Sequence, residues 1–584
     1  MEEDCPQVKF DIIPSFREYY RNILVPSQMS DFEYENMINM LQTPLPLTFR
    51  LSQGLSHFDR KINEIREVLQ PIIDAGYDCG ELEFLPKEFG SIFQVNVPVR
   101  EIRHTELFVP FRTWLRESNQ RGDCHLQELV SMIPHSFLSI NPDMAVLDMC
   151  AAPGSKTSQI VESLDADKGF VVANDADLKR CFTLVHQVKR VGLYNVLITN
   201  FSGQSIMDFP CQFDRVLCDV PCSGDGTLRK NEKGRGFWKN SRGTAHHGLQ
   251  RSLLKRSLEV LKVGGICVYS TCSMNPIENE AVVGSVVEEF GQSVQILDQS
   301  HLFPGLKRHG GMCNWSVYDN PEEAFIYYPV YEAVPPVFRN RISSTMFPIT
   351  KNIGLEKCMR FYPQDMNCGG FFVAVIQKMG ESIPRNIIPK KMKNFGEDPF
   401  IPLVQHSLND ALLIKESFGL GDDFPLNQLF IRNLQNWKHV YMMSKSVSQI
   451  VSTLGSETLR LISGGLVLFT KKKMGGSISN IFYPSSEGSF LLKQYNASQS
   501  IEMKPIEIYQ LVEAGHKGMK IDSFSLETQE RIRRCKQNGA IYWSPEINMI
   551  YGGLVFESSA AIYIREDLIQ FQMKKIVYES GLKI

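Results

Sequence analysis

Two cysteines stand where a reactive thiol would have to stand. One lies in LCDVPCSGDGT (Leu217 to Thr227) and the other in VYSTCSMNP (Val268 to Pro276), each just past a strand-like apolar run. A thiol at the carboxyl end of a buried strand faces the crevice where open α/β sheets bind ligands, so Cys222 and Cys272 are candidates for nucleophilic chemistry. Cys218 and Cys267 sit inside the runs and read as small buried hydrophobes. Asp219 and Lys156 are the other reactive groups expected around the same crevice.

The elements that must hold these groups alternate in the manner of a doubly wound parallel sheet. AVLDM (Ala145 to Met149), GFVVAND (Gly169 to Asp175), NVLITN (Asn195 to Asn200), FDRVLCDV (Phe213 to Val220) and GGICVYST (Gly264 to Thr271) predict strands. Leu249, Leu253, Leu254, Leu258 and Leu261 share one helical face, with Gly264 and Gly265 expected to stop that helix. AFIYYPV (Ala324 to Val330) and GGFFVAVIQK (Gly369 to Lys378) could add an antiparallel edge. Upstream, Phe16 to Ser52 has its own helix and strand signals, interrupted at Pro44 and Pro46. Downstream, Ser382 to Phe400 reads as a linker, and the Gly-punctuated apolar runs beyond it as a β-rich domain.

After the first strand, DMCAAPGSKTSQ (Asp148 to Gln159) makes a small-residue turn into a helix. Ala151, Ala152 and Gly154 let backbone approach a ligand, and the helix start offers N–H groups. The turn matches neither G-x-G-x-x-G nor the phosphate loop. Asp175, ending the next strand, can accept hydrogen bonds from both hydroxyls of a ribose, which together with the turn favours an adenosine cofactor.

A cofactor, an attacking thiol, a carboxyl group and a helper are what methylation at carbon 5 of cytosine requires. That carbon is a poor nucleophile until a thiolate adds to carbon 6, and a base must later remove the carbon-5 proton. The residues alone do not order the two thiols.

DMCAAPGSKT, CDVPCSGDGT and STCSMNPIENE resemble the Nop/Sun-domain RNA (cytosine-5) methyltransferases. YYRNILVP, PLPLTFR, TMFP, NCGGFFVAV and EDPF resemble the eukaryotic tRNA-modifying branch of NSun-two or Trm-four type, with nearly the whole chain covered. The resemblance implies a Rossmann-like, doubly wound, mostly parallel methyltransferase domain at 101–380. It also implies an N-terminal α+β unit at 1–100, a linker at 381–400 and a β-rich PUA-like RNA-binding domain at 401–584. It implies S-adenosylmethionine as donor, held by Cys150, Ala151, Ala152, Pro153, Gly154, Ser155, Lys156, Asp175 and Asp219. Cys272 is then the thiolate that attacks carbon 6 and Cys222 the thiol that assists release. Asp219 hydrogen-bonds nitrogen 3, with Lys156 close by. Ser202 stands where the family usually has an Asp that contacts adenine, Leu126 where Arg is common, and Gln364 where His is frequent. Those departures motivate the rival expectation of a catalytically weak RNA-binding scaffold. DNA is the less favoured substrate.

RKNEKGRGFWKNSR (Arg229 to Arg242) holds six basic residues against one Glu, around Phe237 and Trp238. Cations can neutralise phosphates while aromatic faces stack bases, so Arg229, Lys230, Lys233, Arg235, Trp238 and Lys239 are expected RNA contacts. KKK (Lys471 to Lys473) and RIRRCK (Arg531 to Lys536) are further basic clusters.

The bulk numbers fit this picture. The 584 residues exceed one core, and 62 basic against 65 acidic residues exclude a uniformly basic coat. Fourteen cysteines behind the acidic start MEEDCPQVKF, without a signal-peptide pattern or C-x-x-C pair, suggest reduced thiols and no metal. No apolar run reaches the roughly 20 residues of a membrane span. A soluble monomer is expected, nuclear by resemblance with the cytoplasm as the alternative, with tRNA or another RNA as its partner and no membrane or metal.

Overall fold

The computed structural model describes residues 11–25, 27–52, 58–84, 90–190, 192, 194–319, 325–381, 396–474, 477–495, 499–535, 539–564 and 566–582. The expected linker falls mostly on 382–395, outside the described residues. The chain divides into two units. One comprises Met1–Asp165, Gly169–Val191 and Asn200–Pro389, the other Ala166–Lys168, Gly192–Thr199 and Lys390–Ile584.

The first unit opens with α1 (Pro14–Leu24), whose buried face is aromatic at Phe16, Tyr19 and Tyr20. Ser30 and Glu33 form a reciprocal capping box that starts α2 (Asp31–Leu41). Pro44 and Pro46 fall between that helix and β1 (Leu47–Leu51). α3 (Phe58–Asp74), β2 (Cys79–Leu82), β3 (Ile92–Val95), α4 (Val99–His104), α5 (Val109–Arg121) and β4 (Cys124–Leu126) follow. The strands make an antiparallel sheet in the order β2-β3-β1-β4, with Phe49, Ile65, Phe93 and Phe111 in its core. The accessory sheet therefore runs to residue 126 and not to the expected boundary at 100, because Phe49 pairs with Leu126 and Leu51 with Cys124.

The catalytic-type sheet is built from α6 (Leu129–Ser136), β5 (Ala145–Asp148), α7 (Ser155–Glu162), β6 (Phe170–Asn174) and α8 (Leu178–Lys189). β7 (Val196–Thr199) forms where NVLITN predicts it, but belongs to the second unit, antiparallel to Leu461–Gly464. Then come β8 (Phe213–Asp219), α9 (Glu232–Gly236), α10 (Ser241–Glu259), β9 (Leu261–Thr271), α11 (Glu280–Phe290) and β10 (Val294–Ile296). The rest are β11 (His309–Gly310), β12 (Val317–Asp319), β13 (Ile326–Tyr328), β14 (Met359–Phe361), α12 (Pro363–Met366) and β15 (Phe371–Lys378). β6, β5, β8 and β9 run parallel side by side. Such strands, covered on both faces, need the near-continuous Val, Ile and Leu content these runs have.

Three expectations are corrected. Gly264 and Gly265 do not end the preceding helix, which stops at Glu259. They lie within β9, where the register against β8 jumps from Phe213↔Leu261 to Arg215↔Ile266, and Gly264 takes φ +82 in that bulge. Ile326–Tyr328 pairs with Val317–Asp319 in a separate ribbon, so this run adds nothing to the main sheet. β15 is antiparallel as expected but internal, lying between β9 and β14 and also pairing with β10.

The second unit holds two antiparallel-rich five-stranded sheets rather than a single one. One has Ile414, Phe418, Leu429, Ile431 and Phe469 in its core, and the other Ile508, Leu511, Tyr542, Ile562 and Ile576.

Candidate active site

Parallel register brings the chemistry to one edge. Asp148 ends β5, Asp219 ends β8 beside Ser270, and Thr271 ends β9 one residue before Cys272. Cys222 and Cys272, 50 positions apart, meet with their sulfurs 3.2 Å from each other. The hydrogen bond with Cys272, followed by burial, pushes the Cys222 thiol well above its ordinary value.

Asp219 sits behind the thiols with both oxygens engaged, Oδ2 by Lys156 Nζ (2.7 Å) and Oδ1 by Ser270 Oγ (2.7 Å). Lys156 also donates to Ser131 Oγ (2.9 Å). Burial works to lower the Lys156 ammonium, but the Asp219 charge and hydrogen bond, with Cys272 nearby, outweigh it and leave the group above its ordinary value. A charged Lys156 and a tethered Asp219 are the result. Asp148, underneath, has its carboxyl pushed by burial up to about 7, against the pull of the Thr157 hydroxyl (2.7 Å).

Two residues that the motif spacing did not single out hold the thiols in place. Glu278, fully buried, accepts from Ser223 N (2.8 Å), Ser223 Oγ, Gln250 Nε2 (3.0 Å) and Ser273 Oγ (2.7 Å). It thus ties the residue after Cys222 to the residue after Cys272. Asp225 accepts from Met274 N (2.8 Å) and Tyr20 Oη, and burial, with Glu278 second, pushes its carboxyl up to about 6. Both acids sit in the quoted motifs CSGDGT and STCSMNPIENE, but one strand of text does not show that the two loops touch.

The cofactor-type residues gather as a turn. Cys150, Ala151, Ala152, Pro153, Ser155 and Lys156 line a cavity of about 220 Å³ together with Asp148 and Asp219. Asp175 lies at the end of β6, its carboxylate taking Ala152 N (3.1 Å) and Asp177 N (2.9 Å). It therefore fixes the turn itself. Ser202 is exposed at the start of the segment that follows β7. Gly154 is explained differently than the sequence suggests. A Cβ there would meet Leu184 Cδ1 at 2.8 Å, and its φ is +110, so helix packing and backbone conformation require the glycine.

The expected RNA contacts separate into two groups. Arg229 is buried and donates to Thr43 O (3.3 Å), Pro44 O (2.7 Å), Cys368 O (2.9 Å) and Asn367 Oδ1 (2.7 Å). Arg235 is buried against Leu228 O (3.1 Å), and Trp238 packs on Phe16, Tyr19 and Tyr20 with ring centroids 5.3–5.9 Å away. These three side chains are buried in the interior. The basic density that suggested phosphate binding is partly an internal brace satisfying backbone carbonyls. Lys230 and Lys239 are exposed, as is Phe237 at 60%. The side chain of Lys233 lies outside the described residues, as do those of Lys472, Lys473 and Lys536.

A model of the 16S rRNA methyltransferase RsmB/F family matches residues 135–307, and a model of the NSUN2 Pre-PUA domain matches residues 401–497. The multisite-specific tRNA:(cytosine-C(5))-methyltransferase of Saccharomyces cerevisiae is 31% identical over 546 residues, spanning 84% of this chain and 77% of its own length. The tRNA (cytosine(34)-C(5))-methyltransferase of Drosophila melanogaster is 29% identical over 633 residues, with 94% and 83% covered. A crystal structure of NSun6 from Pyrococcus horikoshii with SFG has a TM-score of 0.43 and 17% identity, over 64% of this chain and 100% of that one. With paired thiols at the ends of two parallel strands and this breadth of similarity, the chain belongs to the S-adenosylmethionine-dependent RNA (cytosine-C5) methyltransferase family.

Proposed function

We propose that this chain methylates carbon 5 of cytosine in tRNA through a transient bond between Cys272 and carbon 6. The observation that carries the reading is the 3.2 Å approach of the two thiols beside the Lys156–Asp219 pair. The donor set fits S-adenosylmethionine. A small-residue turn walls the cavity next to Asp219, and Asp175 fixes that turn from the end of β6, where a ribose carboxylate partner belongs. When bound, S-adenosylmethionine supplies an electrophilic methyl group.

The chain's own residues do the rest. The Cys272 sulfur donates an electron pair to carbon 6, and the ring electrons shift toward carbon 5, which becomes nucleophilic. Asp219, its two oxygens held by Lys156 and Ser270, is oriented to accept a hydrogen bond from nitrogen 3 as that nitrogen takes a proton on thiolate addition. After methylation the carbon-5 proton passes to a base, its bonding pair re-forms the carbon 5–carbon 6 double bond, and the carbon–sulfur bond breaks with its electron pair returning to Cys272. Cys222, in sulfur contact with Cys272, assists that release. The relatives named for tRNA methylation support tRNA as the substrate.

Transfer of labelled methyl groups from S-adenosylmethionine to tRNA, read as 5-methylcytosine after nuclease digestion, tests the proposal. Label in 5-methylcytosine is the expected result, and its absence at every tRNA concentration overturns it.

A further inference from the structure

One carboxylate in the cavity has no task in the scheme above. Glu128 immediately precedes α6 and lines the same cavity as Lys156, Asp219 and Lys230. Burial raises its carboxyl above the ordinary value, and the charges of Lys230 and Lys156 with a hydrogen bond from Gly369 N–H offset part of that rise. Its Oε1 lies so near Gly369 that a Cβ built there would stand 2.2 Å from it, so this turn has room for the carboxylate only because residue 369 is glycine.

The same turn leads to the nucleophile. Gly370 N donates to Gly226 O (2.8 Å), and Gly226 N donates to Cys272 O (3.0 Å). Neither glycine admits a side chain: a Cβ on Gly226 would meet Gly370 O at 2.2 Å, and one on Gly370 would meet Met274 Sδ at 2.8 Å. Arg229 pins the turn through Cys368 O. Glu128 is therefore set relative to Cys272 by a short run of backbone.

Cytosine differs from uracil at nitrogen 3, an acceptor in cytosine and an N–H donor in uracil, and at carbon 4. Cytosine carries an exocyclic amino donor where uracil carries a carbonyl acceptor, and a Glu accepts from that amino group. An ionised carboxylate is acceptor-only, so it attracts the amino group and repels the carbonyl. Of the three carboxylates lining the cavity, Asp219 is held by Lys156 and Ser270 toward nitrogen 3 and Asp148 accepts from the Thr157 hydroxyl, while Glu128 has a backbone N–H as its described partner. A site that leaves a buried polar group facing the wrong partner rejects the analogue strongly.

We propose that Glu128 selects cytosine over uracil by accepting a hydrogen bond from the exocyclic amino group of the base that Cys272 attacks. The inference rests on the cytosine-C5 methyltransferase reading.

The test uses the full-length protein with S-adenosylmethionine and a tRNA transcript whose methylated cytidine is replaced by 5-fluorocytidine or 5-fluorouridine. The readout is the rate at which a denaturant-resistant RNA adduct forms. The parent protein is expected to prefer 5-fluorocytidine, and Glu128→Gln, which can present either a donor or an acceptor, to narrow that preference by about 10- to 100-fold. Glu128→Asp keeps the acceptor and retains the preference at a lower rate, which separates selectivity from folding. An unchanged ratio in Glu128→Gln overturns the inference, as does an equal loss of S-adenosylmethionine affinity, which would place Glu128 in the cofactor site. If the parent forms no adduct with either transcript, the methyltransferase reading itself fails.

Discussion

Asp148 and Glu278 are both buried acids, but Asp148 has one described hydroxyl partner where Glu278 accepts four hydrogen bonds. Asp148 has one hydroxyl partner and a carboxyl pushed to about 7 from an ordinary 3.8, so the folded protein holds a proton that the unfolded chain releases. That proton stabilises the fold at low pH, and the contribution is lost as pH rises from about 4 through about 7. Asp148→Asn removes the dependence. Its melting temperature relative to the parent is expected to improve steadily between pH 4 and pH 8, and a flat difference would contradict the assignment. At this scale the sequence was informative about Cys222, Cys272, Asp219 and Lys156, because a turn past a strand is visible in the text. It was silent about Glu278 and Asp225, whose value comes from loops about 50 residues apart meeting in space. Basic and aromatic content did not reveal that Arg229, Arg235 and Trp238 are buried, since composition does not distinguish an exposed charge from one that satisfies backbone carbonyls.

The elements around the thiols work as a pair of loops latched by one side chain. Glu278 receives four hydrogen bonds from Ser223, Gln250 and Ser273, and Gln250 also holds Pro221 O (3.0 Å). Glu280, two residues on, forms a buried ion pair with Arg360, which in turn donates to Met274 O (2.8 Å). Replacing Glu278 by Gln removes the charge and one acceptor oxygen while leaving the thiols in the sequence. The expected outcome is a kcat lower by about 10- to 100-fold, as for misplaced reacting groups, with S-adenosylmethionine affinity within twofold of the parent. Equal losses in cofactor affinity and kcat would show that the latch serves the whole crevice. Strand positions were legible from their β-branched runs, whereas the bulge in β9 was not. Two glycines after a helical stripe read as a stop, and only the pairing with β8 reveals that they let a strand bend.

Across the whole molecule the near balance of charge means that RNA affinity must come from local cations. Lys230, at the cavity wall, and exposed Lys239 are two of the described candidates from the basic segment. Changing both to Ala should lower the slope of log affinity against log salt by about 2, roughly one per phosphate contact, without altering thermal stability. Arg229→Ala should do the reverse, costing about 2–4 kcal/mol of stability because several carbonyls lose a buried donor. If Arg229→Ala leaves the melting temperature unchanged and weakens RNA binding, the interior assignment is wrong. Domain organisation was legible as a sequence of periodicities, but its boundaries were not. The accessory sheet closes through Cys124–Leu126, far beyond the proline-marked break, and the C-terminal half carries two cores where one was expected.

The central claim concerns which sulfur bonds to the base. Cys222→Ala and Cys272→Ala proteins, incubated with tRNA and S-adenosylmethionine and then digested, can be analysed by mass spectrometry for a peptide carrying a nucleotide. The account predicts an accumulated adduct on Cys272 in the Cys222→Ala protein, and neither adduct nor 5-methylcytosine in the Cys272→Ala protein. A nucleotide bonded to Cys222 in the Cys272→Ala protein, with methyl transfer intact, would contradict it.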